Sequence, residues 1–496
     1  MTITAAGTSV RNHGLYIDGE WTTPDPTTLI PVENPATEEI IAYVSAATAA
    51  DAERAVLAAR QAFDDGEWGR TTPADRRVIL QRFADIMERR KDELVDINIA
   101  ECGSARSFAD GAQVAGAIKH LKATIAAMGS FEWEQPLPMH VGQGIGQGVS
   151  VREAFGVAVL ISAYNFPLWL NMTKLAPALA AGCTVVLKPA STTPIEGLIL
   201  AEIGEEAGLP TGVLNVITGG REANKVLTTH PAVDIVSFTG SDAVGRQIYA
   251  QAADSLKKVI LELGGKSANI VLEDADLDAV AAEVVAHTTK QAGQGCSLLT
   301  RTLVHNSRRE ELVAKVVELL AKVRVGDPAD AATDMGPLIS EAQRAKVEEL
   351  IATGRAEGAT LVYGGGRPAG LDRGYYVEPT LFTDVTNDMS IAREEFFGPV
   401  NVVIGFDSDE EAVTLANDNP YGLSGAVHAK DPVRAYEIAR RLRTGGVVVN
   451  GGGGAFPNTS APFGGYKASG LGREYGAWGI DEYLQTKAIT WGVARG

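Results

Sequence analysis

Cysteine is scarce in this sequence, and its scarcity argues against two kinds of architecture. Three cysteines, Cys102, Cys183 and Cys296, are spread over 496 residues. An odd number of widely separated thiols does not support a disulfide framework of the kind found in small secreted proteins. No two of them have the spacing of a zinc-binding pair, so the sequence predicts no bound metal. We therefore expect a reduced, cytoplasmic protein.

Long hydrophobic runs are also missing. The first residues, MTITAAGTSVRNHG, lack the charged head and apolar segment of a secretory signal peptide. The most apolar stretch, residues 156–187, is interrupted by polar residues and prolines, among them Asn165, Pro167 and Lys174. Such a stretch is typical of a buried strand, turn, helix and strand rather than of a membrane span. The sequence therefore predicts no association with a membrane.

Basic residues are outnumbered by acidic ones. The chain has 44 lysines and arginines against 62 aspartates and glutamates, which leaves a formal net charge of -18. A surface of this sign repels phosphate backbones, which argues against nucleic acid as a partner. The remaining composition, 45% hydrophobic and 21% charged, is ordinary for a soluble globular enzyme.

The length and the order of elements indicate more than one α/β domain. A single core stops growing near about 250–300 residues, so a chain of this length needs at least two domains. Strand-like and helix-like segments alternate from residue 151 and again after about residue 265, which predicts parallel, doubly wound sheets. Residues 131–150 are rich in turn-forming residues and are typical of a linker or a projecting β-arm.

Three segments contain candidate catalytic groups. Small residues flank Cys296 and leave its sulfur approachable, although a lone cysteine is more often a buried structural thiol. Glu262 stands in an apolar, glycine-flanked turn, where the pKa of a carboxyl group can rise towards that of a general base. Asn165 follows a predicted strand, and a side-chain amide there can donate to a developing oxyanion. Glu262 could instead belong to a purely structural turn, and Asn165 could instead cap a loop.

These segments belong to a longer series of motifs along the chain. The motifs are Asn165-Phe166-Pro167, Lys188-Pro189, Phe238-Thr239-Gly240-Ser241 with Gly245, Leu261-Glu262-Leu263-Gly264-Gly265, Gly293-Gln294-Gly295-Cys296, Glu395-Phe396-Phe397-Gly398-Pro399, and Pro462-Phe463-Gly464-Gly465 with Ser469-Gly470, Gly472-Arg473-Glu474. Taken together, they resemble the aldehyde dehydrogenase superfamily. The resemblance covers nearly the whole chain in the family's order, and the interval of 34 residues between Glu262 and Cys296 is also similar.

The resemblance implies oxidation of an aldehyde to a carboxylate with NAD or NADP. Cys296 would be the nucleophile, because a thiolate adds readily to a carbonyl carbon. Asn165 and the backbone N–H of Cys296 would form the oxyanion hole of the thiohemiacetal. Glu262 would activate the water that hydrolyses the subsequent thioester.

The resemblance also implies a set of cofactor contacts. Lys188 would hold the adenosine ribose, Glu395 the nicotinamide ribose, and Phe397 would pack on the nicotinamide. Three further residues, Gly240, Ser241 and Gly245, lie where one strand leads into a helix. The N-terminus of that helix can bind the pyrophosphate.

Two departures from the family pattern bear on specificity. Many NAD-preferring relatives carry Glu three residues after the ribose-binding Lys, where this chain has Ser191, so we expect NADP to be tolerated; Glu196 is an alternative carboxylate nearby. In the substrate tunnel, Thr173 replaces a large aromatic residue, and the Gly451–Gly454 run replaces bulky loop residues. Trp169 and Phe456 remain as candidate apolar walls. These features favour a medium-sized hydrophobic or aromatic aldehyde.

Three other functions compete with this prediction. A CoA-acylating semialdehyde dehydrogenase has no need of a water-activating base, so Glu262 counts against it. A cysteine hydrolase without redox chemistry would not need the cofactor motifs. A binding protein that has lost catalysis would not need Cys296, Glu262 and Asn165 together.

The expected fold is therefore α/β with three parts. Residues 1–130 and 151–261 are expected to form a Rossmann-like cofactor domain, and residues 262–465 the catalytic domain. Residues 131–150 and 481–496 are expected to form a small β oligomerisation arm, because residues 481–493 alternate like an edge strand. A partner chain would cover such an edge, and the resemblance points to a homodimer or homotetramer.

Overall fold

A computed structural model describes residues 11–142, 144–454 and 458–493 of the chain. Its strands are β1 Arg11–His13, β2 Tyr16–Ile17, β3 Glu20–Trp21, β4 Leu29–Asn34, β5 Glu39–Ser45, β6 Glu134–Pro136, β7 His140–Val141, β8 Ile145–Ala154, β9 Val157–Ile161, β10 Thr184–Lys188, β11 Leu214–Val216, β12 Ile235–Thr239, β13 Lys258–Glu262, β14 Ala268–Val271, β15 Arg301–His305, β16 Thr360–Tyr363, β17 Thr380–Thr383, β18 Val400–Phe406, β19 Ser424–His428, β20 Gly446–Val449, β21 Gly470–Leu471 and β22 Leu484–Val493.

The α-helices lie mostly between these strands. They are α1 Ala49–Asp64, α2 Pro73–Arg89, α3 Lys91–Cys102, α4 Arg106–Phe108, α5 Gly116–Ser130, α6 Pro167–Ala181, α7 Ile195–Ala207, α8 Arg221–Thr229, α9 Asp242–Ala253, α10 Leu277–Thr289, α11 Arg309–Leu320, α12 Glu341–Ala356, α13 Ser390–Arg393, α14 Asp409–Asn417, α15 Pro432–Ala439 and α16 Gly476–Glu482.

Local sequence signals set the starts of the first two long helices. Thr48 accepts a hydrogen bond from the backbone N–H of Asp51, and the Asp51 carboxylate accepts the N–H of Thr48, which together form a capping box. Thr72 and Asp75 repeat this arrangement at the start of α2. Pro73 occupies the first position of α2, where its missing N–H costs nothing.

The first large sheet has the strand order β21-β13-β12-β9-β10-β11-β2-β3. Strands β9 to β13 are parallel to their neighbours within this group, and β2, β3 and β21 are antiparallel additions at its edges. The chain runs outward from β9 to β10 and β11 on one side, and later to β12 and β13 on the other. Such a reversal opens a crevice at the carboxyl ends of the central strands, where ligands of doubly wound sheets bind.

The second large sheet has the order β16-β17-β18-β15-β14-β19-β20 and is parallel except for β16. The chain passes from the first sheet to the second between Glu262, the last residue of β13, and Ala268, the first of β14. We call residues 263–267 the crossover segment. The α/β, doubly wound fold class expected from the sequence is confirmed.

A third sheet joins two segments that are far apart in the chain. Strands β8 and β22 pair antiparallel from Leu484 with Ala154 to Val493 with Ile145, and β6 and β7 pair with β8. Ile489 and Trp491 of β22 are exposed large hydrophobic residues. This is the place of the predicted arm, although β8 runs on to Ala154. The division into domains and the oligomeric state stay predictions.

A pair of fully buried carboxyl groups links α3 to the start of α7. Glu101 accepts hydrogen bonds from the backbone N–H groups of Ile195, at 2.9 Å, and Glu196, at 3.1 Å. The Asn98 amide donates to Glu196 at 3.2 and 3.3 Å. Burial raises the pKa of Glu101 to about 8 and the pKa of Glu196 well above its ordinary value. The pair therefore holds a proton at neutral pH.

This pair makes the stability of the fold depend on pH. Both pKa values are raised, so between about pH 4.5 and pH 8 the folded chain binds more protons than the unfolded chain, and its contribution to stability falls as pH rises through this window. A glutamine at position 196 keeps the shape of the protonated carboxyl and cannot ionise. We predict that Glu196→Gln melts at least about 2 °C above wild type at about pH 9, with little difference at about pH 5.

Differential scanning fluorimetry at both pH values tests this. Glu101→Gln is the matched control, because an amide there cannot accept from both N–H groups at the start of α7 and should melt lower at either pH. An identical pH dependence in wild type and Glu196→Gln would show that the pair does not titrate in this range.

Candidate active site

Four sequence-predicted residues lie at one edge of the first sheet. Asn165 follows β9, Lys188 ends β10, Ser241 follows β12 and Glu262 ends β13. Since these strands are parallel, their carboxyl ends meet at the same crevice. The second sheet contributes Cys296 from the loop before β15, and Glu395 from the loop before β18.

Asn165 is held against the loop that carries Cys296. Its side-chain Nδ2 donates to the carbonyl of Gln294 at 2.8 Å. Its own backbone carbonyl accepts from the Gln113 amide at 3.0 Å and contacts the Cys102 sulfur at 3.7 Å. An amide nitrogen carries two hydrogens, so the bond to Gln294 leaves a second N–H for another acceptor.

The chain before Cys296 turns through an unusual backbone conformation. Gln291, Ala292 and Gly293 have φ angles of 50°, 51° and 71°, which are left-handed. Non-glycine residues pay about 1–3 kcal/mol each for this conformation, and such strain concentrates at functional sites. The Gln294 side chain donates to the carbonyl of Gln291 at 3.0 Å and braces the turn. The turn delivers Cys296 to a partly exposed position.

Burial, together with two nearby carboxyl groups, sets the protonation state of the Cys296 thiol. The low-polarity surroundings, followed by Glu262 and then Glu395, raise the pKa of Cys296. The thiol is therefore neutral in this state. A thiolate forms when a positive charge approaches the sulfur or when a base takes the proton.

Glu262 has the environment expected of a general base. It is 2% exposed, and neither carboxyl oxygen has a hydrogen-bond partner among the described residues. Burial, followed by the charge of Glu474, raises its pKa well above the ordinary value, and Lys174 acts in the opposite direction. Lys174 is fully buried and bonds to Glu474 at 2.8 Å and to Ser237 at 3.0 Å.

The Lys174–Glu474 ion pair was not predicted from the sequence. Glu474 stands within a quoted motif, but nothing in that motif indicates which group it faces. The available signal was Lys174 itself, because a lysine in the otherwise apolar helix α6 needs a buried partner.

Two glycines of the crossover segment bring the groups of the site together. A Cβ at Gly265 would stand 2.2 Å from the carbonyl oxygen of Cys296, and a Cβ at Gly264 would stand 2.7 Å from the Glu395 carboxylate. The Gly265 N–H donates to Glu395 at 2.9 Å. Side chains at these positions would separate the two sheets at the site.

Glu395 and Phe397 flank the crevice from the second sheet. Burial raises the pKa of Glu395 to about 7, although the Gly265 N–H opposes the shift. Such a group can both accept and donate hydrogen bonds near neutral pH. The Phe397 ring packs edge-on against Tyr164, with centroids 5.8 Å apart.

The start of α9 fits a phosphate. Gly240 and Ser241 connect β12 to this helix, and Ser241 is the N-cap residue, but its hydroxyl makes no capping hydrogen bond. The helix packs closely on the crossover segment, because a Cβ at Gly245 would stand 2.6 Å from Leu263. A 12-residue helix whose first N–H groups lack a side-chain cap is a suitable anion-binding terminus.

Lys188 and Ser191 lie on the other side of β9. Lys188 is buried, and burial lowers its pKa to about 8. The Ser191 hydroxyl donates to the carbonyl of Gly219 at 3.4 Å. Glu196, the alternative carboxylate, is fully buried, and its side chain is engaged with Asn98 and Glu101.

Two of the residues expected to line a substrate tunnel, Thr173 and Trp169, are buried and make hydrogen bonds within the protein. Thr173 is fully buried and donates to the carbonyl of Leu170 at 3.0 Å. Trp169 donates to the Tyr475 hydroxyl at 3.1 Å, and its ring fills the space that a Cβ at Gly116 would need. The rings of Trp169, Tyr475, His120 and Phe463 form an aromatic cluster. Phe456 lies outside the described residues.

Neither a metal-binding cluster nor a membrane-spanning helix occurs in the described ranges. Residues 11–142, 144–454 and 458–493 contain no group of three or more His, Cys, Asp or Glu placed to hold a metal ion. None of the helices in these ranges has the length and apolar character needed to cross a bilayer.

Comparison with known proteins identifies the family. Residues 21–489 match the model of the aldehyde dehydrogenase family. The structure resembles the Mycobacterium tuberculosis aldehyde dehydrogenase in complex with NAD+ (TM-score 0.93, 43% identity, 97% of this chain and 98% of that one). It also resembles aldehyde dehydrogenase C of Pseudomonas syringae in complex with NAD+ and octanal (TM-score 0.91, 42% identity, 96% of each chain).

A curated relative is similar along its full length as well. The chloroplastic betaine aldehyde dehydrogenase of Amaranthus hypochondriacus is 42% identical over 490 residues, which cover 97% of this chain and 96% of the relative. These matches confirm the resemblance inferred from the motifs. The chain belongs to the aldehyde dehydrogenase family.

Proposed function

We propose that this protein oxidises an aldehyde to a carboxylate with NAD or NADP, through a thioester on Cys296. The observation that carries the proposal is the contact made by the crossover segment. It connects Glu262, the backbone of Cys296 and Glu395, while Asn165 bonds to the loop two residues before Cys296. Relatives in complex with NAD+ support the choice of cofactor.

The first step is addition of the sulfur to the carbonyl carbon. The new S–C bond converts the carbonyl oxygen to an oxyanion, which the second N–H of Asn165 and the Cys296 N–H stabilise. The thiol must lose its proton because the pKa of Cys296 is raised, and this proton passes to solvent at the partly exposed Cys296 as the S–C bond forms. Loss of a hydride from this carbon as the oxyanion collapses would leave a thioester on Cys296, and the oxidised dinucleotide, when bound, would supply the acceptor of that hydride.

The second step is hydrolysis of the thioester. Glu262 takes a proton from water, the hydroxide adds to the acyl carbon, and the C–S bond breaks to release the Cys296 thiolate and the carboxylic acid, which then loses its proton to solvent. Lys174 and Glu474 act on the pKa of Glu262 with opposite signs and so tune this base. The CoA-acylating alternative leaves this buried base without a role.

The roles of Glu262 and Cys296 can be separated in one experiment. We predict that Glu262→Gln retains a burst of reduced cofactor of about one equivalent per site, followed by steady turnover slowed at least about tenfold, because hydrolysis loses its base. Cys296→Ala should show neither burst nor turnover. Stopped-flow absorbance at 340 nm measures both phases.

The controls test whether these effects belong to the site. Glu349→Gln changes an exposed glutamate, and Cys183→Ala changes a buried thiol just before β10, at the end of this strand opposite the crevice; both should keep burst and turnover. A Glu262→Gln enzyme with no burst and normal hydrolysis would contradict the assignment of the base.

We infer that the cofactor groove tolerates NADP. Ser191 offers no carboxylate to repel a 2'-phosphate, and the Lys188 ammonium is close in sequence to pair with one. Repulsion by a carboxylate in such a groove would cost about 1–3 kcal/mol. Glu196 does not replace that carboxylate, because it is buried with Glu101.

We predict that kcat/KM for NADP lies within about tenfold of that for NAD in wild type, and that Ser191→Glu shifts the preference towards NAD by about tenfold or more. Ser191→Gln is the matched control, because it has the same length without the charge and should leave the ratio near that of wild type. A strong NAD preference that Ser191→Glu does not alter would show that another residue binds the adenosine ribose and sets the cofactor preference.

We infer that the substrate is a small aldehyde with an amino or quaternary ammonium group, in place of the hydrophobic or aromatic aldehyde expected from the sequence. The name of the Amaranthus relative supports this class. The aromatic cluster around Trp169 and Tyr475 provides ring faces that attract cations. A linear aliphatic aldehyde is the second candidate, since the Pseudomonas relative is in complex with octanal.

A panel of aldehydes at saturating cofactor separates these classes. We predict that kcat/KM for betaine aldehyde and 4-aminobutanal exceeds that for octanal and benzaldehyde by about tenfold, because cation–π contacts add about 1–2 kcal/mol. Trp169→Leu should reduce this ratio, since it removes a ring and keeps an apolar side chain. A ratio that favours octanal in wild type would select the aliphatic class.

A further inference from the structure

A small cavity lies behind the crossover segment, on the side of the second sheet. Lys266, Ser267 and Ala268 form one wall, and Arg301 at the start of β15 forms another. The loops before β19 and β20 complete it with Ala416, Asn417, Tyr421, Gly422, Leu423, Ser424, Gly425, Leu442, Arg443 and Thr444. Its volume of about 20 Å3 has room for one ligand of about the size of a water molecule.

Two buried cations line this cavity, and no carboxyl group lines it with them. Lys266 is 2% exposed and Arg301 is 1% exposed. The Lys266 ammonium lies 4.4 Å from the centre of the Phe396 ring and has no hydrogen-bond partner among the described residues. No aspartate or glutamate is among the lining residues. Glu395 and Glu394 act on Lys266, and Asp418 acts on Arg301, but these carboxyl groups do not line the cavity. Buried charges are normally paired, so the cavity side of the two cations has no negative group among the described residues.

Arg301 uses only part of its guanidinium within the protein. Its terminal nitrogens donate to Asn387 at 2.7 Å and to the carbonyls of Leu415 at 2.7 Å and Ala416 at 3.0 Å. Its Nε–H has no partner in the part of the chain that the structure describes. These bonds hold the guanidinium in place, and they leave one charged donor unused.

The neutral polar groups of the cavity include further unused donors. The hydroxyls of Ser267 and Thr444 have no partner within the described ranges. The Asn417 amide is already used, because its Nδ2 donates to the carbonyl of Arg441 and its Oδ1 accepts from the N–H of Arg443. Two cationic groups and two hydroxyls therefore offer hydrogens to whatever lies between them.

We propose that this cavity binds a small monovalent inorganic anion, with chloride as the physiological example. The charge follows from the two cations, and the size follows from the volume, which excludes phosphate and organic carboxylates. Burial, followed by Arg301, lowers the pKa of Lys266 to about 7, so the charged lysine gains from a negative partner. Lys266 follows Gly265, which fixes Glu395, so the anion would stabilise the crossover segment.

Thermal stability in different salts tests the proposal on the full chain. Melting is compared in sodium chloride, sodium bromide and sodium gluconate at equal ionic strength. Wild type should melt at least about 2 °C higher in either halide, because a ligand that binds only the folded state stabilises it. Lys266→Met should lose this shift, and Thr444→Val should raise the half-saturating halide concentration about fivefold or more. Lys322→Met, which changes a lysine with a 63% exposed side chain, should behave as wild type.

A bromide-soaked crystal supplies a second readout that does not need a foldable Lys266 variant. The anomalous map should show bromide between Lys266 and Arg301. An equal halide shift in wild type and Lys266→Met, no shift in wild type, or water alone in the cavity of the soaked crystal would each overturn the proposal. Dehydrogenase activity is not measured in either experiment, so failure here leaves the proposed function untouched.

Discussion

The close approach of Gly265 to the carbonyl of Cys296 is the contact on which the site depends. The two large sheets have separate cores, and the crossover segment is the short stretch that passes between them beside Cys296. A hydrogen bond from Gly265 to Glu395 extends the contact to the second sheet. Without side chains at positions 264 and 265, Glu262, Cys296 and Glu395 can occupy one crevice. Any motion of one sheet relative to the other would act first on this contact.

Burial sets the electrostatic character of the crevice. Glu262, Glu395 and Cys296 all have raised pKa values, and Lys188 has a lowered one, so each group is closer to neutral than it would be in water. Burying a neutral group costs less free energy than burying a charged one, and such a group can change its protonation state when a charged ligand binds. The Lys174–Glu474 pair is the buried exception, and its two charges compensate each other.

Much of this arrangement could be predicted from the sequence, because it follows from the order of motifs and the ends of strands. Parallel strands place their following loops at one edge, so Asn165, Lys188 and Glu262 could be brought together without coordinates. The partners of buried charges could not be predicted, since Lys174 meets Glu474 only through the fold. The same holds for Glu196: its sequence position suggested a cofactor contact, but the packing of α3 on α7 directs it to Glu101. The left-handed turn before Cys296 was also beyond sequence analysis, because Gln291 and Ala292 have no intrinsic preference for it.

The pairing of β21 and β22 has a consequence for how the chain is made. Strand β21 completes one edge of the first sheet, and β22 pairs with β8, yet both strands leave the ribosome after every strand of the second sheet. In the N-terminal half of a nascent chain, β13 therefore lacks its neighbour β21, and β8 lacks its partner β22, until synthesis is nearly finished. Contacts of such long sequence separation form slowly, and exposed edges invite pairing with other chains. For this protein, the N-terminal half gains protection from aggregation only when β21 and β22 pair with it, after the last tenth of the chain has been translated.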